Sequence, residues 1–194
     1  DPARRLADSL GVGPIGNTPV QVPDEVLASA RRAGDGTLAA MMLDQKGSWD
    51  ELVERHVPNE EARQRILENR FYQQLSQSFA GSQEYMAVEQ LGELDASGRY
   101  DLIVVEGAGS CAEPNLRALD VVNFGLARRL AAEVHILCDI DKGGVFADIL
   151  GTLQVLSLTE PADAALVRGF LINKFRGDPK ILDGGLDFIR PHLG

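Results

Sequence analysis

Two rhythms of apolar and polar residues divide the chain near position 100. In the second part, apolar residues come in short unbroken runs. "YDLIVVE" (100–106), "EVHILCDID" (133–141) and the end of "ALVRGFLINKF" (165–175) each predict a fully buried strand. Between the runs, apolar residues recur at helical spacing. "DVVNFGLARRLAA" (120–132) predicts an amphipathic helix, "GVFADILGTLQVL" (144–156) a second, and "ILDGGLDFIRPHLG" (181–194) a closing helix and tail. The first part has little strand signal. "DPARRLADSLG" reads as a helix closed by Gly11, "VGPIGNTPVQVP" as loop with a short extended piece, and "DEVLASARRAGDG" as a short helix running into loop. From Trp49 to Leu94 the spacing is helical, through Leu52, Val53, Ile66, Leu67, Phe71, Leu75 and Phe79. Pro58 suits a helix start, Gly81 interrupts the pattern, and 95–99 form a turn.

Strands that alternate with helices and are apolar throughout imply a parallel sheet covered on both faces. The expected fold is α/β, a doubly wound, mostly parallel sheet with a helical insert at about 24–98. Segments 1–98 and 99–194 are expected to form one structural domain. At 194 residues, 44% hydrophobic and 25% charged, the chain is an ordinary globular one. A net charge of -10 argues against a general nucleic-acid or anionic-membrane binder, which needs a basic face. No apolar run approaches a membrane span, and the polar opening residues are not a secretory signal. Cys111 and Cys138 lack CxxC spacing and read as free thiols of a reducing, cytoplasmic compartment.

In a doubly wound sheet, ligands bind outside the C-terminal strand ends. The three predicted strands end in Glu106-Gly107-Ala108-Gly109-Ser110, in Asp139-Ile140-Asp141-Lys142-Gly143-Gly144 and in Asn173-Lys174-Phe175-Arg176-Gly177-Asp178. Carboxylates for a hard cation, glycines that let backbone amides approach an anion, and an amide side chain are the inventory of a nucleotide–magnesium site. Glu106 reads either as a magnesium ligand or as a solvent-facing residue of a βα turn. Gly107 and Gly109 admit close backbone approach and positive φ. Gly143 and Gly144 precede a helix whose N-terminus can receive an anion, with Lys142 adding charge. The same stretch also reads as an acidic turn that caps the helix. Asn173 reads as a base-edge contact or a bridge between loops. His56, His135 and His192 are scattered and suggest no metal site.

"YDLIVVEGAGSCAEPNLRALDVVNFGLA", "DIDKGGVFADILGTLQVL" and "GFLINKFRGDPKILDGGLDFI" resemble the cobyric acid synthase family over about 99–194. That family comprises glutamine-dependent amidotransferases of cobalamin biosynthesis. The resemblance implies a P-loop NTPase-like, dethiobiotin-synthetase-like ATPase half. Such a ligase phosphorylates a substrate carboxylate, and ammonia then displaces the phosphate. Carried over by position, Glu106 would bind magnesium. Asp139, Asp141, Lys142 and Gly143 would line the phosphate region, and Asn173 would contact adenine, with Lys174 beside it. Asp120 would be a weaker candidate for substrate or magnesium. ATP and magnesium are the implied cofactors. A corrinoid substrate and a glutaminase domain absent here are the implied partners, and a homodimer is left open.

"DPARRLADSLG", "MMLDQKGSWDELVERH" and "RILENRFYQQLSQSFAGSQEYMAVEQL" resemble instead the anion-transporting, arsenical-pump-like ATPases. By that resemblance Asp1 would position the attacking water. The chain thus reads as a mosaic of two related families, joined near 100–105. A GxxxxGK[ST] phosphate loop occurs nowhere in the sequence. The expectation is a fragment whose first strand and phosphate loop are missing, one that binds ATP weakly and turns it over negligibly. The remaining alternatives are an anion-pump-like ATPase and an inactive binding module.

Overall fold

The protein is described by a computed structural model covering residues 2–28, 36–78, 82–107, 109–117, 120 and 122–193. The chain divides into two compact units, Asp1–Ile103 and Val104–Gly194.

The first unit is helical, as the spacing predicts. Helix α1 (Pro2–Ser9) ends at Gly11, which takes φ 63°. The chain then forms β1 (Val20–Gln21), which pairs antiparallel with β2 (Ala39–Ala40), a strand the apolar pattern does not reveal. A short α2 (Asp24–Leu27) lies between them. Ala7, Val12, Ile15 and Val22 form a small core here. Helix α3 (Gln45–His56) packs against α4 (Glu60–Leu67), α5 (Arg70–Ser78) and α6 (Ser82–Ala96). Asp44 caps α3 by accepting from the Lys46 N–H, and Asn59 caps α4 by accepting from the Ala62 N–H, so Pro58 lies just before that cap. The predicted interruption at Gly81, and Phe79 beside it, lie outside the described residues.

Polar side chains tie this unit together. The Asn17 amide donates to Asp44 O (3.3 Å), Ser48 Oγ (3.1 Å) and Glu51 Oε1 (3.2 Å). Its carbonyl accepts the Asp44 N–H at 2.8 Å. Gln90 donates to Glu51 from α6 (3.0 Å), and the Tyr72 hydroxyl donates to Asp50 (2.8 Å). Burial, reinforced by the Asp50 carboxylate, raises the Tyr72 pKa, so the phenol stays protonated.

In the second unit, the alternation of strands and helices holds from residue 124 onward. Helix α7 (Phe124–Leu130) leads to β3 (Val134–Asp139). Helices α8 (Val145–Thr159) and α9 (Pro161–Ala164) cross over to β4 (Val167–Asn173), and α10 (Asp183–Ile189) closes the chain. Strands β3 and β4 are parallel, with Asp139 opposite Asn173 at their C-terminal ends. Cys138, Val145, Ile149 and Ile189 form one core under this sheet, and Phe124, Ala127 and Leu156 form another.

Two expectations need correction. Residues 100–107 carry no strand: Leu102 is 78% and Val104 82% exposed. An apolar run becomes a buried strand only where neighbouring strands satisfy its backbone groups, and among the described residues none pairs with it. The described parallel sheet is accordingly two-stranded rather than extended. Nor are its faces both covered. Helices α8 and α10 pack beneath it, while Leu137 (65%) and Leu171 (53%) remain exposed on the strands. Burial thus alternates along the strands, as it does in a sheet covered on one side.

Candidate functional site

The C-terminal ends of β3 and β4 bring together several residues that the sequence singles out. The Asp139 carboxylate accepts the Asp141 N–H (3.0 Å) and so opens a single 3-10 turn over Ile140–Lys142. Gly143 and Gly144 follow at φ 75° and 72°, in left-handed conformations that favour glycine, and α8 begins at Val145. Opposite, Asn173 Oδ1 accepts the N–H of Lys174 at 2.8 Å. Lys174 itself sits at φ 63°, a region non-glycine residues rarely occupy and one that recurs at functional sites.

Two cross-strand ion pairs join these ends. Lys174 Nζ donates to Asp139 Oδ2 at 2.6 Å, and Arg176 lies 3.9 Å from Asp141. The hydrogen bond from Lys174 holds the Asp139 carboxyl below the ordinary carboxylate range, and the same bond raises the lysine pKa. Lys142, Gly143 and Gly144 are exposed beside them. The arrangement offers charges of both signs and an unobstructed glycine turn, which suits a ligand carrying an anion and a cation together.

A second group lies in the loop before α7. Gly109 takes φ 72° in open space. Gly107 does not have positive φ. Its lack of a side chain serves instead to admit Asn123, whose Oδ1 would lie 2.1 Å from a Cβ there. Asp120 accepts the N–H groups of Asn123 (2.9 Å) and Phe124 (3.3 Å), so it caps α7. Residues Ser110, Cys111, Glu113, Arg117 and Asp120 border a cavity of about 380 Å³. Burial pushes the Cys111 thiol up, which keeps it protonated.

Glu106 is exposed in this loop, and Asp1 lies outside the described residues. Among the described residues no group of three His, Cys, Asp or Glu side chains is placed to hold a metal ion. The residues therefore do not fit an all-protein cage. His135 packs on the β4 backbone at Gly169 rather than toward a site.

Sequence reasoning missed one charged group of this unit, Asp163. It is 0% exposed, and its two carboxylate oxygens are taken by Arg117 and Arg128. Its setting, "TEPADAA", reads as a surface helix start, and the two distant arginines make its burial tolerable.

Among the described residues no helix is long and apolar enough to cross a membrane. No family model matches the chain, and no solved structure matches it. Curated relatives do. Cobyric acid synthase of Saccharopolyspora erythraea is 56% identical over 95 residues, 49% of this chain and 18% of the relative. That of Azorhizobium caulinodans is 51% identical over 94 residues, 48% of this chain and 19% of the relative. That of Marinomonas sp. is 44% identical over 118 residues, 59% of this chain and 23% of the relative. The resemblance of the first half to anion-transporting ATPases finds no support in these relatives. About half of the chain is thus similar to cobyric acid synthases, and the matched stretch spans about a fifth of their length.

Proposed function

We propose that residues 104–194 belong to the nucleotide-binding part of an ATP-dependent amide ligase of the cobyric acid synthase type. The observation that carries this reading is the meeting of Asp139, Gly143, Gly144, Asn173 and Lys174 at the paired ends of β3 and β4. The similarity of half the chain to cobyric acid synthases supports it. Magnesium, when bound, would neutralise phosphate charge, with Glu106 as its protein candidate and Asp139 lining the phosphate region. Lys142 and the amides at the start of α8 would face the phosphates. Asn173 would present its amide to the base.

In the overall chemistry, a substrate carboxylate oxygen attacks the terminal phosphorus and ADP leaves. Ammonia would then attack the acyl carbon, and inorganic phosphate would leave as the new amide nitrogen gives up a proton. The substrate and the source of ammonia are those of the longer relatives. The sequence contains no GxxxxGK[ST] loop, which favours a second reading in which this chain binds nucleotide without turning it over.

Titration calorimetry with magnesium and ATP tests the proposal. The expected result is magnesium-dependent binding weaker than the low micromolar range, reduced by Glu106→Ala and by Asp139→Ala. A wild-type chain that binds no nucleotide, or variants that bind unchanged, would overturn it.

A further inference from the structure

We infer that buried Asp163 is a positioning residue for the loop 109–117, acting through Arg117. One Arg117 nitrogen engages Asp163, and the other donates to the carbonyl of Cys111 at 3.0 Å. The guanidinium also lies over the Phe124 ring, 5.2 Å from its centre. Arg128, from α7, takes the second Asp163 oxygen at 2.6 Å. Asp163 in α9 therefore binds together the loop, through Arg117, and α7, through Arg128. The Cys111 side chain packs against the Phe124, Ala127 and Leu156 cluster, so the loop is held at one residue by both its backbone and its side chain.

The two arginines differ in what they reach. Arg117 uses its planar fork to bridge two acceptors, which a lysine ammonium on a single stem cannot reproduce in the same geometry. Arg128 reaches the carboxylate from α7 rather than from the loop. This division makes a buried carboxylate control the placement of Gly109, Ser110 and Cys111 along the edge of the cavity beside them. The positioning stands by itself. Its relevance to nucleotide rests on the function proposed above.

The test compares the full chain with Arg117→Lys and Arg128→Lys. An aromatic disulfide reagent labels the two thiols, and peptide mass spectrometry separates Cys111 from Cys138. In Arg117→Lys, Cys111 is expected to react about tenfold faster, the size of effect of losing one hydrogen bond to a charged group, with Cys138 unchanged. In Arg128→Lys, Cys111 should react at the wild-type rate even where the melting temperature falls. Equal Cys111 rates in wild type and Arg117→Lys would overturn the inference. So would parallel rises at both cysteines in both variants, the mark of global opening. Nucleotide titration of the same samples separates the two claims. Absent ATP binding in wild type defeats the proposed function and leaves the thiol result intact.

Discussion

Each of the two units contains a polar side chain that links several of its segments, and the two links differ in kind. In the first unit the link is Asn17, a neutral amide of intermediate exposure that spreads four hydrogen bonds over Asp44, Ser48 and Glu51. In the second it is Asp163, a wholly buried charge shared by two arginines. Water can replace most of what Asn17 supplies. Nothing comparable can replace the Asp163 carboxylate. A polar hub thus becomes critical through the desolvation of its partners, more than through the number of its bonds.

The sharpest check on that contrast begins with an apolar control. Leu156 is fully buried in the cluster with Phe124 and Ala127. Leu156→Ala should cost about 3–4 kcal/mol in a urea melt of the second unit, from lost transfer energy and the cavity left behind. A loss below about 1 kcal/mol would show that this core collapses freely and that Asp163 alone organises it. Next in size is Asp163→Ala. Breaking a buried pair leaves Arg117 uncompensated, at a cost of about 3 kcal/mol, the lower end of the usual range because Arg128 is half exposed. Should Asp163→Ala cost no more than a surface substitution, the contrast between the two hubs fails.

Asn17→Ala supplies the other side of the comparison. Its expected cost is about 1–2 kcal/mol, since buried Ser48 keeps its bond to the Asp44 carbonyl and the freed groups on Asp44 and Glu51 are only partly shielded from water. The effect should be confined to the first unit, visible as faster hydrogen exchange at the start of α3. An Asn17→Ala loss equal to that of Asp163→Ala would erase the distinction argued here.

What the sequence made legible follows the same divide between local and distant causes. The helix start beside Pro58, the glycine turn at Gly143 and Gly144, and the strands ending at Asp139 and Asn173 depend on residues within a few positions of one another. Their signals survive in the linear pattern. The run at 102–105 misleads because four apolar residues specify a strand only in the presence of neighbours to pair with. Gly107 misleads in another way. Glycine suggests a special φ or a nearby ligand, whereas here it makes room for the Asn123 side chain, sixteen positions on. Asp163 was invisible because its partners lie 46 and 35 residues away. For the candidate site, the residue types at the strand ends were readable. That Asp139 is already engaged by Lys174 was not, because the strand register decides it.

That engagement gives the smallest effect and the most direct probe of the strand ends. Asp139 and Lys174 are partly exposed, so salt screens their attraction and the contribution is modest. Its pH dependence is nevertheless defined. The Asp139 pKa is lowered in the folded protein, so its share of stability is present above the ordinary carboxylate value of about 3.9 and is lost as pH falls through the lowered one. The Lys174 pKa is raised, so its share is present below about 10.4 and is lost as pH rises through the raised value. Lys174→Met keeps the strained left-handed backbone and removes only the charge. The melting-temperature difference between wild type and Lys174→Met should therefore form a plateau between those limits, vanish beyond both and shrink with added salt. A difference that persists below the carboxylate range would mean that Lys174 is held by packing rather than by Asp139. The cation would then be free to meet an incoming phosphate without first giving up a partner.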